Sequence, residues 1–266
     1  MKDILDKLER KEDSHKGENG YVGVVAGSRD YTGAPALSGL AALRAGADLV
    51  TVLTSEEIRD TVTGFSENLV VETYPGGYIG EGFLEKARAL TDRCDSVLVG
   101  PGLGCPRHDI LKELFESTEV PVVIDADAIQ PAIGSELSDT VLTPHRSETE
   151  LILERYGSLQ EFAELKEDTV VLSKGPRDMV VSRSETAEID AGDPTMTVGG
   201  TGDVLSGTVA SFMAQGLQPF EAARLGAEVN GKAGEIAARR YGNGALATDI
   251  RELVPQALKE VKEETG

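Results

Sequence analysis

Short runs of β-branched and aliphatic residues alternate along the chain with longer stretches in which apolar positions recur every three or four residues. The runs at 21–26, 49–54, 69–74, 96–100, 120–125, 140–143 and 169–173 predict strands, and most of the stretches between them predict amphipathic helices. Val97-Leu98-Val99 and Val122-Val123-Ile124 are apolar at every position, which suits strands buried on both faces. The pattern therefore predicts the α/β class, a central, mostly parallel sheet with helices on both faces. The last third differs. Residues 179–183 and 186–190 predict a short hairpin, and 203–215, 219–241 and 248–263 predict a helical C-terminal third. The first dozen residues predict a small charged helix. With no long linker or internal repeat, residues 1–266 are expected to form a single domain, 1–14 being an N-terminal extension.

Composition narrows the function. Forty per cent hydrophobic residues in 266 suffice for a core without staples. The 46 Asp and Glu against 26 Lys and Arg give a net charge of −20, which opposes loose binding to nucleic acid or anionic lipid. Any anionic ligand must then be held by a locally positive site. No apolar run approaches the roughly 20 residues of a membrane span, and the charged start lacks a signal peptide's apolar stretch, so a soluble, cytoplasmic protein is expected. The acidity fits either a salt-rich cytoplasm or an ordinary acidic enzyme. Cys94 and Cys105 are expected to be plain thiols, too few for a disulfide framework.

The most informative segment is Val198-Gly199-Gly200-Thr201-Gly202-Asp203-Val204-Leu205-Ser206-Gly207. Its glycines let the backbone turn tightly and present successive N–H groups, and the helix predicted to follow aims its positive end at the same place. Such an anion hole suits a phosphoryl group in transfer, with Asp203 placed to take a proton from an attacking hydroxyl. The plainer alternative is a glycine turn with Asp203 as a helix cap.

Together with other motifs, this segment resembles the ADP-dependent NAD(P)H-hydrate dehydratases of the ribokinase-like superfamily. The shared motifs are His15-Lys16-Gly17 with Gly20, Gly27-Ser28, Tyr31-Thr32-Gly33-Ala34-Pro35, and Ala41 to Arg44 leading through Gly46 to Val52. They continue with Gly100-Pro101-Gly102-Leu103-Gly104, Asp125-Ala126-Asp127-Ala128, Leu142-Thr143-Pro144-His145 with Glu148, and Lys174-Gly175. The resemblance implies a ribokinase-like fold and a repair reaction: hydrated NADH or NADPH is phosphorylated on its ring hydroxyl at the expense of ADP, or of ATP, with Mg²⁺, and phosphate is then eliminated.

On that resemblance Asp203 is the base, and the amides of Gly200, Thr201 and Gly202 hold the phosphoryl group. Lys174, Gly175, Arg177 and Gly202 contact the nucleotide, while Ala34, Gly102, Gly104 and His145 face the dinucleotide hydrate. Glu148 is expected to orient magnesium through water. A surface lysine, a capping histidine and a solvent-facing glutamate remain the alternatives for Lys174, His145 and Glu148. Asp125 and Asp127 are read as a structural turn in preference to metal-linked carboxylates.

The chain departs from the family's usual pattern at Asp48 and Ser147, where glycine is common, at Gln130, where asparagine is common, and at Asn230, where histidine is frequent. Two rival readings remain: a hydroxyethylthiazole or hydroxymethylpyrimidine kinase of the same superfamily, and a nucleotide-binding sensor without catalysis. The Tyr31 to Pro35 loop and His15 to Gly17 favour the dehydratase. Resemblance further implies a homotetramer, and the length implies that any epimerase is a separate protein.

Overall fold

A computed structural model describes residues 1–104, 107–166 and 168–265. After a short helix α1 (Lys2–Asp6) the chain runs β1 (Tyr21–Val25), α2 (Ala34–Arg44), β2 (Leu49–Ser55), α3 (Arg59–Thr63), β3 (Val70–Tyr74), α4 (Phe83–Thr91), β4 (Ser96–Val99) and α5 (His108–Ser117). It continues β5 (Val122–Ile124), α6 (Ile129–Ile133), β6 (Thr140–Leu142), α7 (Arg146–Tyr156), α8 (Leu159–Glu164), β7 (Thr169–Ser173), β8 (Asp178–Val181) and β9 (Thr186–Ile189). Three helices close the chain: α9 (Thr201–Ala214), α10 (Pro219–Tyr241) and α11 (Ala247–Thr265).

All nine strands lie in one sheet, in the order β3-β2-β1-β4-β5-β6-β7-β8-β9. Pairing is parallel from β3 to β7, and the expected hairpin, β8 with β9, extends the sheet antiparallel. Side chains alternate across the sheet, so each apolar strand feeds two cores. Leu98, Val123, Val170 and Leu172 pack with Ala41, Leu205, Val209, Leu225 and Ile250 from α2, α9, α10 and α11. Val97, Val99, Ile124 and Val171 pack on the other face with Leu90, Leu111, Ile129, Ile152 and Phe162 from α4 to α8. The fold class and the helical last third are those expected from the sequence.

Strand order fixes where a ligand belongs. Because β1 pairs with both β2 and β4, the strand order reverses there, and the carboxyl ends at such a switch point are where an open α/β sheet takes its ligand crevice. The loops leaving β1 and β4 meet at that edge, Gly27 N donating to Pro101 O at 2.8 Å. Helix α9 lies against the sheet with its N-terminus at this edge. It packs so tightly on α2 that a β-carbon on Gly207 would stand 2.1 Å from the Ser38 carbonyl oxygen. Its 14 residues span about 21 Å, carrying its other end, Ala214, to Gly20 at the opposite edge.

That opposite edge holds the N-terminal extension and the His15-Lys16-Gly17 motif. The expected helix shrinks to five residues, and Ile4 and Leu5 are its buried anchors. The Asp48 carboxylate accepts hydrogen bonds from Gly17 N (3.0 Å), Asn19 N (3.1 Å) and Asn19 Nδ2 (2.9 Å) and pairs with Arg10 at 3.0 Å. Burial opposes its ionisation, but these donors outweigh burial and hold its carboxyl below the usual range. Asp48 thus staples the extension to the start of β2. A cavity of about 700 Å³, lined by Lys7, Arg10, Lys11, His15, Glu18 and Gln215 among others, lies on this side, away from the crevice.

Cys94 is buried, and burial pushes its thiol up to about 11, as an inert thiol requires. Cys105 lies outside the described residues. Among the described residues no helix is long and apolar enough to cross a membrane.

Candidate active site

The loop before α9 makes its turn at Gly200, whose φ of +94° is a left-handed conformation that a residue with a side chain adopts only at a cost. The first helical bond runs from Val204 N to Gly200 O at 3.2 Å, so the N–H groups of Thr201, Gly202 and Asp203 have no acceptor within the helix. Thr201 fixes the loop by donating its hydroxyl to Met196 O (3.0 Å) and Val198 O (3.3 Å). The result is a cluster of amides at the positive end of a helix, suited to a phosphoryl oxygen.

Two charged side chains complete it. Lys174 directly follows β7 and reaches across to α9, and a β-carbon on Gly202 would lie 3.1 Å from its Nζ. Asp203 sits in the first turn of the same helix. Burial pushes its carboxyl up to about 7, the charge of Asp125 adds to the rise, and Lys174 works against it. A carboxylate poised near neutrality beside an anion hole can accept a proton from a hydroxyl at physiological pH.

The crevice loops lie on the same edge. A β-carbon on Gly200 would meet Leu37 Cδ1 of α2 at 2.6 Å, and Ala34 opens that helix one turn earlier. Against Ala34 packs Gly102, whose β-carbon would stand 3.0 Å from Ala34 Cβ and 2.7 Å from Tyr31 Cβ. Ser28 Oγ donates to Gly102 O at 2.9 Å, and Gly104 N donates to Asp127 Oδ2 at 2.8 Å. These small residues let the two loops pack directly on one another, while on the same edge Asp203 is partly buried and Tyr31 is exposed.

A sequence model described as NAD(P)H-hydrate dehydratase matches residues 22–256. The chain belongs to the NAD(P)H-hydrate dehydratase family. It is similar to the ADP-dependent (S)-NAD(P)H-hydrate dehydratase of Natrialba magadii, at 42% identity over 242 residues, covering 91% of this chain and 93% of that protein. It is also 37% identical to the bifunctional NAD(P)H-hydrate repair enzyme of Methanothermobacter thermautotrophicus, covering 96% of this chain and 53% of that protein. Among solved structures, the ADP/ATP-dependent NAD(P)H-hydrate dehydratase from Bacillus subtilis, co-crystallised with ATP and Mg²⁺, shares the fold. Its TM-score is 0.78 at 23% identity, covering 97% of this chain and 95% of that one.

The remaining residues of the dehydratase motifs divide. His145 caps α7: Glu148 N donates to its Nδ1 (3.4 Å) while His145 N donates to Glu148 Oε2 (2.8 Å), and the histidine ring stays exposed. Glu148 is partly buried; burial raises its carboxyl, against its bond from the His145 amide and the charge of Lys174. Among the described residues no three or more His, Cys, Asp or Glu side chains gather as a metal cluster. A lone carboxylate that shares Mg²⁺ with waters and substrate phosphates is the arrangement that ion ordinarily takes, and Glu148 fits it. Gly175 N donates to Asp178 Oδ1 at 2.9 Å and closes the turn after Lys174. Arg177 points away onto the hairpin, paired with Glu188 (2.8 Å) and Asp190 (3.0 Å).

Asp125 and Asp127, read together from the sequence as a structural turn, separate here. Asp127 holds the Gly104 loop, as a structural residue would. Asp125 is 1% exposed and accepts from both Lys174 Nζ and Thr143 Oγ1, each at 2.8 Å, on a single oxygen, Oδ1. Asp125, Thr143 and Lys174 end or follow three consecutive predicted strands, but only the strand order, which makes those strands parallel neighbours, brings their ends together.

Proposed function

We propose that the protein repairs damaged nicotinamide nucleotides by ADP-dependent dehydration of the (S)-hydrate of NADH or NADPH. The observation that carries the reading is the Asp203 carboxyl, raised toward neutrality, in the first turn of a helix whose free amides meet the Lys174 ammonium. The Natrialba magadii relative acts on the same hydrate with ADP, which supports ADP as this chain's donor; ATP is the alternative.

Asp203 accepts the proton of the ring hydroxyl as its oxygen attacks the β-phosphorus of ADP. The bond from that phosphorus to the bridging oxygen breaks, and AMP leaves. Thr201, Gly202 and Asp203 amides and Lys174 stabilise the charge on the phosphoryl oxygens in flight. Loss of phosphate together with a ring proton then restores the dihydropyridine, so phosphate replaces hydroxide as the leaving group. Mg²⁺, oriented by Glu148 through water, would neutralise nucleotide phosphates. Ala34, Gly102, Gly104 and the exposed His145 line the side that receives the dinucleotide, and Gly175 shapes the nucleotide's turn. Arg177, engaged with Glu188 and Asp190, joins the nucleotide only if those pairs open.

We read residues 1–266 as one functional domain working in the cytoplasm as a homo-oligomer. Mixing purified protein with hydrated NADH, Mg²⁺ and either ADP or ATP should restore the absorbance of the reduced nicotinamide. No recovery with either nucleotide would overturn the proposal. The vitamin-kinase and sensor readings are not favoured, since likeness to dehydratases covers nearly the whole chain and Asp203 is tuned as a base.

A further inference from the structure

We infer that Asp125 is a positioning residue of this site, anchoring the Lys174 ammonium over the first turn of α9, beside Asp203. The inference deepens the dehydratase reading and rests on it only for its kinetic arm.

The geometry is that of a buried bracket. Asp125 follows β5, Thr143 follows β6 and Lys174 follows β7, so three adjacent parallel strands deliver three polar groups to one point. Both donors converge on Oδ1 at 2.8 Å. The backbone behind is locked as well: a β-carbon on Gly100 would stand 1.7 Å from the Asp125 carbonyl oxygen, so the β4 loop rests directly on this residue. Lys174 N in turn donates to Pro144 O at 2.9 Å, which fixes the base of the lysine beside Thr143.

A lysine has a long flexible stem, and on its own its ammonium would sample many positions at a cost in binding entropy. Bound to a buried carboxylate, it is held where the phosphoryl group must arrive. The Lys174 charge also reaches Glu148 of α7, Asp178 of β8 and Asp203 of α9. Of the charged groups acting on Asp203, Asp125 favours its protonated form and Lys174 its ionised form. The contacts at neighbouring Gly200 from α2 and α11, Leu37 and Ala247, are uncharged.

Removing the Asp125 charge should therefore act on Asp203 twice in one direction. The repulsion disappears, and the lysine's charge is no longer partly neutralised. In Asp125→Asn, whose amide oxygen can still accept from Lys174, the Asp203 titration midpoint should fall by about one pH unit. Carboxyl-carbon NMR follows it in the free protein, with Asp203→Asn supplying the assignment. The acid limb of the kcat/KM profile should move down by the same amount. In Asp125→Ala, which loses the bracket too, KM for ADP should rise by about tenfold or more while kcat changes less.

A residue that only supports the fold would lower Tm and leave the midpoint where it was, and that result overturns the inference. If neither variant folds, the wild-type protein still decides: a bracketed Lys174 ammonium gives its own slowly exchanging ¹H–¹⁵N signal, and a freely exchanging one refutes the bracket. Failure of the wild type to recover NADH would sink the dehydratase reading and leave the NMR arm standing. An unmoved midpoint would do the reverse.

Discussion

Lys174 Nζ stands 3.1 Å from the point where a β-carbon on Gly202 would be. The ammonium rests on the bare backbone of the anion hole, and only glycine leaves it that place. In Gly202→Ala the flexible end of the lysine can move aside, so the fold should survive with Tm within a few degrees. The displaced charge should raise KM for ADP by about tenfold, or ~1.4 kcal/mol. Steady-state kinetics against ADP checks this, and an unchanged KM would remove Lys174 from the nucleotide site.

Asp203→Asn keeps the size of the side chain and loses the base. Turnover should drop by about 10² to 10⁴, the range a general base contributes. ADP affinity, measured by calorimetry, should stay within a few-fold of wild type, because amides and lysine remain. A variant with near-normal turnover would show that another group takes the proton.

The Asp203 carboxyl titrates near 7, so kcat/KM should rise with pH through about pH 7 as the base form appears. Stability should move the opposite way. The folded value lies above the unfolded value of about 3.9, so the folded state binds the extra proton. This contribution to stability is fully present below about pH 4 and is lost as pH rises through about 7. Asp203→Asn escapes that loss. Its Tm relative to wild type should therefore climb between about pH 5 and pH 8, and a constant difference would contradict the raised carboxyl.

Asp48 carries the opposite sign, because its donors depress its carboxyl. Its contribution is present above the unfolded value of about 3.9 and is lost as the solution is acidified through the folded one. Asp48→Ala should cost about 2 to 3 kcal/mol at neutral pH, as several bonds to one charged acceptor fail together. The cost should shrink in acid, seen by denaturant titration at two pH values. KM for ADP should not change, since Asp48 lies at the far end of α9.

Much of this protein was legible before its structure. Alternation and continuous apolar runs determined the strands, their burial on both faces and the helical last third, because those patterns report directly on what each face must be packed against. The glycines before Asp203 suited either an anion hole or a plain capped turn, and it was their company with the other motifs that favoured the anion hole. Three things waited for the tertiary structure. Strand order, which no local pattern encodes, placed the switch point at β1 and β4 and sent His15 to Gly17 to the opposite edge. The split between Asp125 and Asp127 depended on which neighbouring strand ends each faces. The raised carboxyl of Asp203 depended on burial and on a charge 78 positions away in the chain. Local sequence sets what a segment can become; proton affinity and ligand position arise from residues that meet only once the sheet has assembled.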